Sequence, residues 1–268
     1  MLLPLAGRRL YYDLTGAEDA PVLCITHSLA SDSGMWSEQM PALLQAGFRV
    51  LRLDMRGHGG SDPVAGDYTM AQLAGDVAAA LDALAIPRVH YMGLSIGGMI
   101  GQAFALEHGE RLISALWSDT LLASPKGATQ AWNERMDGVR RAGSVAPLAD
   151  ATMERWFTPA FKPRKPRRWQ EIRDTIAATT QAGYLGCSAA IMDFDFAARL
   201  PSVRVPTLVV CGADDPGTPA SENRRLAGLV PGARYEEIPN ARHFPNVEHP
   251  DAFNRLMLGW LEAQRKAH

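Results

Sequence analysis

The segment Gly93-Leu94-Ser95-Ile96-Gly97-Gly98 sets a serine between small residues at fixed spacing. A β-rich run, residues 88–92, leads into it, and an apolar, Ala-rich run, residues 99–106, leads out. A strand, a sharp turn and a helix with serine at the apex is how a nucleophile is presented. The turn forces the serine into a strained backbone conformation. Residues two before and two after it must then be small, and Gly93 and Gly97 meet that demand. The helix start behind Ser95 brings backbone N–H groups and a positive dipole end near its hydroxyl. The chemistry served is acyl transfer, which needs a base near the serine and a group to orient that base.

Seven histidines are available. His243 lies in the polar loop Pro239-Asn-Ala-Arg-His-Phe-Pro-Asn246, after the last strand-like run and before the last helical one. That is the place of the base in the chain order serine, acid, histidine. The acid is expected after the preceding strand, in Val209-Val-Cys-Gly-Ala-Asp-Asp-Pro-Gly-Thr-Pro219. Asp214 and Asp215 both qualify, and the register past Gly212 selects Asp215. Developing negative charge needs two backbone donors. The N–H of Ile96 is one, and Leu29 in Ile25-Thr-His-Ser-Leu-Ala30 supplies the other by register. His27 reads as a brace for that loop. Asp54-Met-Arg-Gly-His-Gly-Gly-Ser61 lacks the Gly-Lys-Ser/Thr ending of a phosphate loop. It reads as a structural turn holding His58, with Asp54 and Arg56 paired locally. His90, His108, His249 and His268 read as structural or solvent-facing.

These groups need a scaffold. Strands are expected over residues 9–14, 22–26, 49–53, 88–92, 112–117, 207–211 and 234–238, and helices over 36–46, 70–84 and 252–262. The alternation implies an α/β fold with a mostly parallel sheet and helices on both faces. Residues 121–199 carry helical patterns without a strand. They read as a helical lid inserted into a core of residues 1–120 and 200–268, over the carboxyl ends of the strands.

Composition bounds the rest. The chain has 268 residues, 47% hydrophobic and 21% charged, with net charge −2. That suits one large soluble core and excludes a basic nucleic-acid or membrane-surface binder. The first residues do not read as a secretory signal, and no apolar run approaches transmembrane length. Cys24, Cys187 and Cys211 show no metal or disulfide spacing and read as reduced core thiols, which fits a cytoplasmic protein. No metal and no cofactor is expected, and a homo-oligomer is compatible with all of this.

Together the elbow, the acid loop, the histidine loop and the early oxyanion loop resemble the α/β-hydrolase superfamily over essentially the whole chain. A finer resemblance is to 3-oxoadipate enol-lactonases. It rests on Ser28-Leu29, on Gly93-Leu-Ser-Ile-Gly-Gly-Met-Ile-Gly101, and on the lid stretches Leu148-Ala-Asp-Ala-Thr-Met-Glu-Arg-Trp-Phe-Thr158 and Gly183-Tyr-Leu-Gly-Cys-Ser-Ala-Ala-Ile191. The resemblance implies hydrolysis of a small, carboxylate-bearing ester or lactone through an acyl-enzyme. It also implies that Trp132 and Arg135 in the lid bind the substrate, an arginine fork being suited to a carboxylate. Trp156 and Phe157 are further candidates for the pocket wall. The basic run of residues 162–168 reads as an exposed lid loop. The chain departs from the family at Thr26-His27, Ala30, Arg242 and Phe244-Pro245, all beside the site. The same triad serves carboxylesterases, carbon–carbon bond hydrolases and perhydrolases, and a ligand sensor can keep the fold.

Overall fold

In the computed structural model, which describes residues 1–124 and 127–266, eight strands build one sheet. They are β1 (Leu2–Leu5), β2 (Arg8–Thr15), β3 (Val22–Thr26), β4 (Arg49–Leu53), β5 (Val89–Leu94), β6 (Leu112–Ser118), β7 (Thr207–Gly212) and β8 (Arg234–Ile238). Their order is β1-β2-β4-β3-β5-β6-β7-β8. The pairs β1–β2 and β2–β4 are antiparallel, and every other neighbouring pair is parallel. Every residue of β5 and β7 is buried, so both faces of the sheet are covered there. This is why these strands read as near-continuous apolar runs instead of alternating ones.

The helices are α1 (Met40–Gln45), α2 (Met70–Ala83), α3 (Ile96–Glu107), α4 (Thr129–Ala142), α5 (Ala149–Trp156), α6 (Phe161–Arg164), α7 (Pro166–Ala178), α8 (Gln181–Met192), α9 (Ala220–Leu229), α10 (Pro245–Glu248) and α11 (Pro250–Lys266). The start of α2 is fixed by a reciprocal cap, Thr69 accepting from the Gln72 N–H and Gln72 from the Thr69 N–H. α3 is buried almost all round, packed on β5, β6 and α2.

Between β6 and β7 the described elements are α4 to α8 and two 3₁₀ turns, Ala146–Leu148 and Leu200–Ser202. The ends of this segment meet at a narrow neck. Ala123 bridges Asp195, the Ser124 N–H donates to the Phe194 carbonyl at 2.8 Å, and the Phe196 N–H donates to the Leu122 carbonyl at 2.9 Å. α8 docks on the core through backbone. Thr180 donates its N–H and its hydroxyl to the Gly57 carbonyl, at 3.2 and 2.7 Å. A Cβ at Gly183 would collide with the Gly57 backbone, so only glycine permits this approach.

Several expectations change. The N-terminal strand β1 is an addition, a four-residue edge element containing Pro4. The helix expected over 36–46 is split into a 3₁₀ turn, Ser33–Trp36, and α1. Asp32 caps the first piece through the Gly34 N–H, and Pro41, lacking an N–H, opens the second. The basic run 162–168 is helical on either side of Lys165, in α6 and α7, with Arg168 bonded to Glu38 at 2.8 Å. Arg56 pairs with Asp76 of α2 instead of Asp54, its Nη2 donating to Oδ1 at 2.8 Å, and Arg8 meets the same carboxylate. Asp54 instead accepts the N–H groups of Ser33 and Gly60 at 2.8 and 2.9 Å. The three cysteines are free and buried, and burial pushes the Cys24 thiol up to about 12. Pro125, at the expected entrance to the lid, and His268 lie outside the described residues.

Candidate active site

Ser95 sits between β5 and α3 with φ 60° and ψ −119°, a conformation that L-residues adopt only under constraint. The constraint comes from β6 and its exit. The Ser95 N–H donates to the Ser118 carbonyl at 2.9 Å, and Thr120 Oγ1 donates to the Ser95 carbonyl at 2.8 Å. A Cβ at Gly97 would lie 2.8 Å from the Thr26 carbonyl and 2.9 Å from that of His27, and one at Gly93 would strike the Gly97 carbonyl. Backbone therefore occupies the space on both sides of the serine.

β7 and β8 deliver the other two groups. His243 Nδ1 lies 2.7 Å from Asp215 Oδ2, and both residues are buried. Asp215 also accepts the Gly217 N–H at 2.8 Å and the Thr218 hydroxyl. Burial opposes the Asp215 charge, but His243, Thr218 and Gly217 together outweigh it and hold the carboxyl below its ordinary range. Asp214, one residue earlier, is exposed, and its N–H donates to the Ala241 carbonyl at 2.9 Å.

A third acid stands here that the sequence reading passed over. Asp119, just past β6, is fully buried and has φ 45°. One ligand atom each from Asp119, Asp215 and His243 lies within 4.8 Å of the others. Among the described residues this is the group with metal-ligand spacing. The hydrogen bond between Asp215 and His243 already uses one carboxylate oxygen and one ring nitrogen. Burial first, and then the Asp215 charge, push the Asp119 carboxyl well above its usual range. The available signal was a lone acid in Ser118-Asp119-Thr120, at the carboxyl end of a strand where α/β sheets place ligands.

The loop after β3 is held by two buried histidines. His27 Nε2 accepts the Met55 N–H at 2.9 Å while its Nδ1 faces the Ser28 carbonyl at 2.8 Å. His58 Nε2 accepts the Ala30 N–H at 3.1 Å while its Nδ1 faces the Arg56 carbonyl at 3.0 Å. Both Nε2 atoms are thus acceptors and both rings neutral. The N–H groups of Ser28 and Ser31 are also used, by Met35 Sδ and the Ser28 carbonyl. Among the described residues, the N–H groups of Leu29 and Ile96 donate to no protein acceptor.

Burial pushes His27 down to about 4, and burial with His27 nearby pushes His58 down to about 3. The unfolded chain takes up these protons near pH 6.5, the folded protein only at the lower values. Stability therefore falls as pH drops from 6.5 toward 4, by up to about 1.4 kcal/mol per pH unit for each histidine. Asp54 and Asp119, whose carboxyls burial holds high, act in the opposite direction and offset part of it. The urea midpoint is expected to fall between about pH 6.5 and about pH 4.5, and His58→Asn to flatten that fall. An unchanged slope in the variant contradicts the assignment.

The helices before β7 close on the histidine loop. Trp156 is buried, stacked on Phe244 with centroids 4.2 Å apart and 6.2 Å from the His243 ring. Arg242 Nη1 donates to the carbonyls of Glu154 and Phe157, at 2.5 and 3.3 Å. Buried Glu248 accepts the N–H groups of Arg242 and Thr158, at 3.2 and 3.0 Å. Arg242 and Phe244, where the chain departs from the family pattern, thus weld α5 to the loop that carries His243. Trp132 and Arg135 are half-buried on α4, the guanidinium 5.2 Å over the indole. Neither Arg135 nor Arg155 has a carboxylate partner among the described residues. Burial, then Arg135, lowers Arg155.

Residues 21–250 match the family model described as alpha/beta hydrolase fold. The chain is 35% identical to 3-oxoadipate enol-lactonase 2 of Acinetobacter baylyi, over 92% of this chain and 91% of that protein. The enol-lactonase structure from Burkholderia xenovorans superimposes with a TM-score of 0.93 at 36% identity, covering 98% of this chain and all of the other. RutD of Variovorax paradoxus, a protein named for carbamate hydrolysis, is 31% identical over 94% of this chain and 96% of its own. No helix among the described residues is long and apolar enough to cross a membrane.

Proposed function

Because the chain belongs to the alpha/beta hydrolase fold family, we propose that it is a serine hydrolase cleaving a carboxylate-bearing enol-lactone of the 3-oxoadipate type. The observation that carries this reading is the buried 2.7 Å contact of His243 with Asp215, in a chain that also holds a serine at a strained strand-to-helix apex. In this reading Ser95 Oγ attacks the lactone carbonyl as His243 takes its proton. Asp215 fixes the tautomer of His243 and balances the imidazolium. The unused N–H groups of Leu29 and Ile96 stabilise the tetrahedral oxyanion. The enolate leaves, is protonated from His243 and becomes a ketone. Water, deprotonated by His243, then releases the acyl group from Ser95. The reaction as written consumes only water.

Residues 121–199 act as the cap, pinched at the bridge between Ala123 and Asp195. Trp156 walls the site beside His243, and Trp132 with Arg135 receives the substrate carboxylate. The enzyme works in the cytoplasm on a small molecule. The likeness to RutD supports a second reading, in which the acyl group is a carbamate.

The test compares 3-oxoadipate enol-lactone, an aryl ester and a carbamate with the purified protein. The lactone is expected to be preferred in kcat/KM by about 100-fold, as buried polar groups reject substrates that leave them unpaired. Arg135→Ala is expected to raise KM for the lactone about 10-fold, the worth of one charge-assisted hydrogen bond, and to leave the neutral ester unaffected. A preference for the ester returns the reading to a general esterase, and one for the carbamate to the second reading.

A further inference from the structure

The three residues leaving β6 divide their work. Ser118 and Thr120 hold the nucleophile, accepting the Ser95 N–H and donating to the Ser95 carbonyl. Asp119, between them, turns to the acid strand. Its N–H donates to the Val210 carbonyl at 2.9 Å and its Oδ1 accepts the Gly212 N–H at 2.8 Å, while Oδ2 accepts the Ser118 hydroxyl at 2.6 Å. Gly212 ends β7, three residues before Asp215. A left-handed backbone at a non-glycine residue and a fully buried carboxyl are both costs, of order 1 kcal/mol and upward. The protein bears them at a position between the two residues that hold the Ser95 turn, bonded to the strand that leads to Asp215.

We propose that Asp119 is a positioning residue of the reaction, a reserve acid that supports His243 when Asp215 cannot. The inference rests on the Ser95–His243–Asp215 reading above. Two carboxyls this close in a dry site share a single negative charge, because a second would meet both burial and repulsion. The titratable groups facing Asp119 are Asp215, His243 and the Cys211 thiol. With Asp215 in place, its three donors draw the charge to it and Asp119 keeps its proton. With Asp215 neutralised, repulsion vanishes while the nascent imidazolium remains within 4.8 Å. Asp119 then releases its proton to solvent and becomes the counter-charge. A purely structural role is the competing account, since an acid offers acceptors to both Ser118 and Gly212 where an amide offers one.

A double-mutant cycle separates the two, with Asp119→Asn, Asp215→Asn and both together, assayed on the lactone and an aryl ester. Asp119→Asn alone is expected to lower kcat a few-fold, and Asp215→Asn about 10²- to 10³-fold. In the Asp215→Asn background, Asp119→Asn is expected to cost at least a further 10-fold beyond its cost in the wild type. The extra loss falls on kcat, with KM and thermal midpoint no further changed. Additive losses, or an Asp215→Asn protein already as inactive as Ser95→Ala, overturn the proposal. Should Asp119→Asn fail to fold, Asp119→Ser replaces it in the cycle. Ser95→Ala is run alongside. Activity surviving there overturns the serine reading itself, whereas a dead Ser95→Ala with an additive cycle removes only the reserve acid.

Discussion

Ser95→Ala is expected to lower kcat on any ester or lactone substrate by about 10⁴- to 10⁶-fold, with the fold retained. In the proposed mechanism one oxygen carries the covalent chemistry. Removing Oγ leaves the N–H groups of Leu29 and Ile96 and the imidazole of His243 with nothing to activate but water. Alanine at this position inherits the backbone strain, because φ 60° with ψ −119° penalises any Cβ. Ser95→Gly removes the same hydroxyl and the penalty together. It is therefore expected to be as inactive as Ser95→Ala yet more stable, by about 1–2 kcal/mol. Mass spectrometry with a serine-directed phosphonate should label the wild type once and neither variant. Turnover in Ser95→Ala within about 10-fold of the wild type would remove the nucleophile assignment.

The second large effect is expected at Gly97, in stability as well as turnover. Its missing Cβ would sit 2.8–2.9 Å from two carbonyl oxygens and from Thr26 Oγ1. The carbonyls belong to the last residue of β3 and the residue after it, and that segment is clamped in turn by His27 on Met55. No flexible side-chain tip is available to yield. Gly97→Ala is expected to cost about 3 kcal/mol or more, lowering the thermal midpoint by roughly 6–12 °C for a chain of this size. The residual folded protein should turn over at least about 10-fold more slowly, since displacing Thr26 and His27 moves Leu29 with them. A variant with wild-type midpoint and rate would show that the turn has slack the distances deny it.

Legibility followed from what each residue had to satisfy locally. The turn at Ser95 was readable because backbone collisions at positions 93 and 97 leave no residue but glycine, so the constraint is written in the sequence itself. The mostly parallel sheet was readable because β5 and β7 are buried on both faces and therefore near-continuously apolar. The split of the helix expected over 36–46 turns on a cap at Asp32 and on Pro41, a local signal outweighed by the apolar pattern around it. Asp54 with Arg56 failed differently. Two residues apart, they looked like partners, yet the true partner of Arg56 is Asp76, buried on the next helix and shared with Arg8. Asp119 could not be placed beside Asp215 from sequence, being 96 residues away. Only the adjacency of β6 and β7 in the sheet brings them together. The acid nearest in sequence to Asp215 is Asp214, and it points to solvent.

The seat of α8 on Gly57 has a consequence for how the enzyme would choose among acyl groups. Thr180 grips the Gly57 carbonyl, and the next residue, His58, holds the Ala30 N–H directly beside Leu29. In the proposed reading the cap and the oxyanion loop are thus two ends of one short lever. A ligand too bulky for the cap to settle onto Gly57 would then also slacken the loop proposed to meet the developing charge. Misfit is then transmitted as slow turnover even where the ligand stays bound, and Thr180→Val, which cuts the hydroxyl end of the lever, should blunt that discrimination in kcat more than in KM.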